Sequence, residues 1–368
     1  MMLDQRNLPD MLLTLDGERI ETADRWLQRR RPEILDLFRE HVYGRETVGR
    51  PSTLEFDTKV TPNMLGGIAV RKQVDIRYEG AGGTGKIRLL MFLPDNGQEP
   101  CPAFLLLNNR GAAHMDPEQQ APSPFWPAEQ IVARGYAAVV LDVEDADPDF
   151  HDGFRNGVHG IFDPSTGERP ANAWGTIAAW AWSASRAMDY LETDPDIDAA
   201  RVAVVGHSRG GKAALWAGAV DERFALVVSN NSGCTGAALS RGKKGETIRN
   251  INDQFPHWFN GTYKTYNDRE EHLPVDQHML LSLIAPRPLY VASATNDEWA
   301  DPRSEFQSLV HATAAYRLFG CKDLTEMNFP HPEEPLLRER MGYHLRSGEH
   351  DLKPYDWDRF MDFADQNI

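Results

Sequence analysis

The run Val204-Val-Gly-His-Ser208-Arg-Gly-Gly-Lys212 places a serine inside G-x-S-x-G, behind an apolar run and ahead of the helical Lys212-Ala-Ala-Leu-Trp-Ala-Gly. A nucleophile elbow needs this strand–turn–helix context. The strained turn presents a hydroxyl at the sheet edge, and glycines leave room where strand and helix pack closest. The alternative is a serine capping a helix after a tight turn. A nucleophilic serine also needs a base and an acid, which follow in the order Ser, acid, His. His350, in the polar Gly348-Glu-His-Asp351 ahead of the last helix, is the expected base, and His344 competes. His278 and His311 fall in helical patterns and read as structural. Asp297 is the first carboxylate after the strand-like Val291-Ala-Ser-Ala, so it is the expected acid, with Asp301 and Glu298 left open. A developing oxyanion would meet the backbone N–H of Arg209 and a donor from Asn108-Asn-Arg110-Gly111. The Arg209 guanidinium could reach the same charge.

Elements that could hold these groups are visible on either side. Thr22-Ala-Asp opens a helix over about 22–44, with Trp26, Ile34, Leu35, Leu37, Phe38 and Val42 as its apolar stripe and Gly44 after its last turn. From Thr53 to Leu93 the apolar period is two, with Gly80-Ala-Gly-Gly between two runs, which predicts antiparallel strands. Short continuous apolar runs then alternate with helices. The runs begin at Ala103, Tyr136, Val202, Leu226 and Pro288, and the helices cover 174–191, 212–219, 303–313 and 355 onward. This is the pattern of buried parallel strands. The expected fold is α/β, of the α/β-hydrolase type: a mostly parallel central sheet with antiparallel N-terminal strands and helices on both faces, in one domain over 1–368.

Composition narrows the partners. The chain has 368 residues, with 39 Lys plus Arg against 55 Asp plus Glu and a net charge of −16. It lacks the basic footprint that nucleic acid or an anionic membrane requires. Three cysteines, Cys101, Cys234 and Cys321, are too few and too scattered for a disulfide framework or a zinc site, and read as buried hydrophobes. No cofactor or metal is expected. The opening residues show no basic segment followed by an apolar run, so the expected compartment is cytoplasmic, or secreted had a leader been removed.

The motif G-x-S-R-x-G-K, followed by Ser232-Gly-x-x-Gly-Ala237 and Asn252-Asp-Gln254-Phe-Pro-His257-Trp258-Phe, resembles carbohydrate esterase family 15, the glucuronoyl esterases. The similarity runs from about Trp26 to the end. It implies hydrolysis of esters joining 4-O-methyl-glucuronic acid on xylan to an alcohol. By the same resemblance Ser208 and His350 are nucleophile and base, Arg209 assists the oxyanion, and Lys212, Glu246, Gln254 and Trp299 surround the uronic-acid ring. Their chemistry agrees: an ammonium, two hydroxyl-binding groups in a loop-rich insert, and an apolar face for a pyranose. The implied partner is a small carbohydrate ester or a glucuronoxylan-derived oligosaccharide.

Two positions depart from the family. His207 stands where Cys is common. Asn231 stands where fungal-type members place a Glu as the triad acid, which moves the expected acid to Asp297, as in bacterial-type members. An acetyl esterase acting on xylan with the same triad, or a non-catalytic carbohydrate-binding relative, are the other readings. The acidic run Asp142 to Asp152 lacks the spacing of a calcium loop and reads as solvated. Trp174, Trp180, Trp182 and Tyr190 have helical spacing and read as core.

Overall fold

A computed structural model describes residues 6–95, 97, 100–164, 167–322, 324 and 328–368; the first five residues of the leader reading lie outside these. The strands are β1 (Glu55–Met64), β2 (Ala69–Gly80), β3 (Gly83–Pro94), β4 (Cys101–Asn108), β5 (Ala137–Asp142), β6 (Ile197–His207), β7 (Leu226–Asn230), β8 (Leu289–Ala294), β9 (Leu336–Arg338) and β10 (Met341–Arg346). They form a ten-stranded sheet in the order β1-β2-β3-β5-β4-β6-β7-β8-β10-β9. The run from β5 through β10 is parallel. β1 to β3 join antiparallel at one side and β9 at the other.

Every residue of β5, β7, β8 and β10 is buried, as two covered faces require. Alternation along β4 divides the core. Leu105 and Leu107 face one apolar cluster, which holds the helices Thr176–Leu191 and Arg209–Val220. Phe104 and Leu106 face a second, with the helices Ala128–Ala133 and Pro354–Asn367. The α/β-hydrolase type of fold is therefore the observed one. The sixth parallel strand, β10, was not among the expected runs. Gly342, His344 and Arg346 interrupt its apolar character, and tertiary partners satisfy those polar groups.

The N-terminal helical run, residues 23–43, starts where the Thr22 side chain accepts the Arg25 N–H. It buries Trp26, Ile34, Phe38 and Val42 and ends on Tyr43. Tyr43 stacks on Trp216 at 4.3 Å between ring centroids, and its hydroxyl donates to the Thr235 carbonyl at 2.8 Å. The segment thus braces the helix that follows Ser208. That helix lies close to β7: a Cβ at Gly218 would come within 2.3 Å of Val227. Cys101 and Cys234 are buried, Cys321 is half-buried, and none of the three is in a disulfide.

Candidate active site

Ser208, Arg209, Asp297 and His350 lie past the carboxyl ends of the parallel strands, the edge where open α/β sheets bind ligands. Ser208 follows β6 with φ 57° and ψ −124°, a strained conformation for a non-glycine residue. The turn is tight: a Cβ on Gly206 would sit 2.0 Å from the Gly210 carbonyl oxygen. The Ser208 N–H donates to the Asn230 carbonyl at the end of β7, at 2.9 Å.

His350 and Asp297 meet because β8 and β10 run parallel in register, with Ala294 opposite Arg346. The loops beyond are joined by the Thr295 and Asn296 N–H groups, which donate to Arg346 and Gly348 carbonyls, each at 2.9 Å. The His350 Nδ1–H donates to Asp297 Oδ2 at 2.6 Å. The Asn231 Nδ2–H donates to the same oxygen at 2.8 Å, and the Ala300 N–H to Oδ1 at 3.3 Å. Burial alone would raise the Asp297 pKa, but the hydrogen bond and charge of His350, with the Asn231 amide, hold it below the ordinary value. Arg346 fixes the loop from below by donating to the carbonyls of Ser347, Glu349 and Asp351, each at 3.0 Å.

The remaining acid and base candidates are occupied elsewhere. Asp301 caps the helix Pro302–Arg317 and accepts the Lys244 N–H at 2.8 Å, and Glu298 is exposed. His344 lies within β10, between the Tyr290 hydroxyl at 3.0 Å and Asp356 at 2.8 Å. His278 and His311 lie on helices, and His278 Nε2 donates to the Pro9 carbonyl at 3.0 Å.

His207 contributes more than its place in the motif suggests. Its ring centroid is 4.5 Å from that of His350, so the candidate base lies beside the residue preceding Ser208. Its Nδ1–H donates to Asn230 Oδ1 at 2.6 Å, and its Nε2 accepts from the Arg110 guanidinium at 3.2 Å, which fixes the tautomer. Burial, then the nearby His350 and Arg110 charges, push its pKa well down, so the ring is neutral. Arg110 also donates to Asp351, next to His350, at 2.6 Å.

On the other side, the Arg209 guanidinium is ion-paired with Asp149 and lies over the Trp258 ring at 5.1 Å. Asp149 also accepts from His257 Nε2 at 3.1 Å and Trp258 Nε1 at 2.7 Å. Its pKa would rise through burial, yet these hydrogen bonds and the Arg209 charge lower it. The acidic run is therefore not the solvated loop its composition suggested. Asp142 caps Glu144, Asp145 pairs with Arg88, Asp147 accepts the Thr176 hydroxyl, and Asp149 holds Arg209. Among the described residues no group of three or more His, Cys, Asp or Glu could hold a metal ion.

Lys212 is buried one turn past Ser208, and its Nζ donates to the Ser232 and Cys234 carbonyls at 2.6 Å each. Burial lowers its pKa while Glu246, 3.9 Å away, opposes that. Lys212 thus braces the loop after β7, with one remaining donor for Glu246 or a ligand. The Glu246 N–H donates to the Trp299 carbonyl at 3.0 Å, which ties two expected ring-binding residues together. The Trp299 side chain is 53% exposed, a large aromatic surface left open. Gln254 is exposed at the end of the helix Ile248–Gln254, so this part of the expected loop-rich insert is helical, started by a Thr247–Asn250 capping box.

The roles of Asp149 and Arg110 were missed in the sequence. Their positions after β5 and β4 were the available signal, since loops that follow parallel strands converge at one edge.

Fold and edge geometry define a hydrolase of the α/β-hydrolase class, and the comparisons place it further. A family model described as glucuronyl esterase, fungi, matches residues 157–320. Carbohydrate esterase MZ0003, from an unknown prokaryotic organism, is 42% identical over 389 aligned positions, covering 98% of this chain and 89% of that protein. A glucuronoyl esterase from Solibacter usitatus superposes with a TM-score of 0.92 at 40% identity, over 100% of this chain and 99% of that one. A promiscuous CE15 esterase from a marine bacterial metagenome gives 0.90 at 40% identity, over 100% and 98%. The chain belongs to carbohydrate esterase family 15, and it is a carboxylic ester hydrolase.

Proposed function

We propose that the enzyme hydrolyses carbohydrate uronate esters of the 4-O-methyl-glucuronoyl type through Ser208, His350 and Asp297. The observation that carries this reading is the 2.6 Å bond from His350 Nδ1 to Asp297, made by an imidazole whose ring lies 4.5 Å from that of His207, the neighbour of Ser208. With Nδ1 engaged, Nε2 takes the Ser208 hydroxyl proton as Oγ attacks the ester carbonyl carbon. The negative charge on the carbonyl oxygen meets the Arg209 N–H and guanidinium. Collapse breaks the bond to the alcohol, which leaves with the proton from His350. Water then gives a proton to His350 and attacks the acyl-serine, and the uronic acid departs as Ser208 regains its hydrogen. Lys212, Glu246 and Gln254 meet ring hydroxyls, and Trp299 covers the apolar face of the pyranose. The names of the Solibacter usitatus glucuronoyl esterase and of a Hypocrea jecorina 4-O-methyl-glucuronoyl methylesterase support the substrate class.

The test is a paired assay of a benzyl glucuronate ester and acetylated xylan. Uronate-ester turnover is expected to dominate, and Trp299→Ala to raise its KM. Preferential release of acetate, unaffected by Trp299→Ala, would overturn the substrate assignment.

A further inference from the structure

We infer that Asn231 is a positioning residue for the acid–base pair: its side-chain amide fixes the carboxylate oxygen of Asp297 that receives the His350 proton donor. This rests on the triad reading above.

Asp297 Oδ2 accepts two hydrogen bonds, from His350 Nδ1 at 2.6 Å and from Asn231 Nδ2 at 2.8 Å. A carboxylate held only by the imidazole could rotate about its χ2 torsion, which is broad for this side-chain type. Asn231 on Oδ2 and the Ala300 N–H on Oδ1 at 3.3 Å set its plane. That plane sets the imidazole, and the imidazole aims Nε2. Against an ionised carboxylate only the NH2 end of an amide can face inward. The cost is visible: the Asn231 Oδ1 is buried without a hydrogen-bond partner among the described residues.

Asn231 is itself locked. Its φ of 48° lies in the left-handed region that asparagine tolerates better than most residues. Its backbone N–H donates at 2.7 Å to the Ala292 carbonyl in β8, the strand that leads to Asp297. The preceding Asn230 reaches the opposite way, with its carbonyl accepting the Ser208 N–H at 2.9 Å and its Oδ1 accepting from His207 at 2.6 Å. Two consecutive asparagines at the end of β7 therefore tie the nucleophile turn and the acid to one point of the sheet. A neutral donor suits this place, since a second carboxylate beside Asp297 would compete for the same proton and repel its charge.

The experiment compares wild type, Asn231→Gly and Asn231→Asp on a benzyl glucuronate ester. Glycine keeps the left-handed backbone, and aspartate keeps the shape while losing the donor. Both are expected to lower kcat by about ten- to a hundredfold, the range of one hydrogen bond to a charged group, with KM within about twofold. In the NMR spectrum the downfield resonance of the His350 Nδ1 proton should move in the glycine variant. A wild-type kcat for Asn231→Gly, or an unmoved resonance, would overturn the inference. Asp297→Asn, assayed in parallel, separates the two levels: if it retains full activity the triad reading fails, whereas its collapse beside an unaffected Asn231→Gly rejects the positioning role alone.

Discussion

The histidines of two His–Asp pairs lie six residues apart in the chain, and their surroundings are opposite. His344 and Asp356 are fully buried, both imidazole nitrogens are engaged, and Arg346 donates to both carboxylate oxygens at 3.1 Å. His350 is six residues further, and with Asp297 it lies past the sheet edge. The His350 side chain is 41% exposed, and its Nε2 has no partner among the described residues. The two share a hydrogen bond of similar length. What separates them is the second nitrogen, closed in the core pair and open in the edge pair. A His–Asp contact alone is a stitch; it can move a proton only when one nitrogen faces the place where substrate arrives.

The largest effect is expected at Ser208. Ser208→Ala should cost about 10⁴- to 10⁶-fold in kcat on a glucuronate ester, with the melting temperature little changed; substantial residual turnover would remove the edge pair from the chemistry. Next, Asp297→Asn should lower kcat by about 10⁴-fold and leave the fold intact. Asp356→Asn should do the reverse. It leaves the buried Arg346 charge unmatched, costing about 3–5 kcal/mol of stability, while kcat per folded molecule falls by less than about tenfold. Calorimetry beside kinetics reads both variants, and equal effects on both quantities would erase the distinction.

Smaller effects sharpen the picture. Arg110→Ala removes a partly exposed link between the His350 loop and His207, and kcat should fall by about three- to tenfold; an unchanged kcat would show that Arg346 alone holds the loop. Glu305 lies beneath the edge pair, accepting the Ser293 hydroxyl at 2.6 Å and the Gly233 N–H at 2.9 Å. Burial raises its pKa from 4.5 to about 7. The folded chain then keeps a proton that the unfolded chain releases above about 4.5, so this group's stability contribution is full below that pH and is lost as pH rises to about 7. The melting-temperature gap between Glu305→Gln and wild type should therefore shift in favour of the variant across that window and then level off. A pH-independent gap would contradict it.

The elbow and the strands β4 to β8 were legible because continuous apolar runs and G-x-S-x-G are local signals. β10 was not, because Gly342, His344 and Arg346 look unlike a buried strand until Tyr290 and Asp356 are brought against them. Asp297 and His350 could be named from their places after a strand and before the last helix. Rejecting His344 and Asp301 required the partners that occupy them. The acidic loop misled for the same reason: Asp149 meets Arg209 from 60 residues away, and composition carries no trace of that pairing.

In the proposed mechanism the open pair at the sheet edge activates Ser208. Treating the enzyme with a fluorophosphonate and mapping the adduct by peptide mass spectrometry tests it most directly. One adduct on Ser208, formed in step with loss of ester hydrolysis and much more slowly in Asp297→Asn, is the predicted result. Complete hydrolytic activity in enzyme carrying the Ser208 adduct, or labelling of Ser208 at the same rate without Asp297, would contradict it.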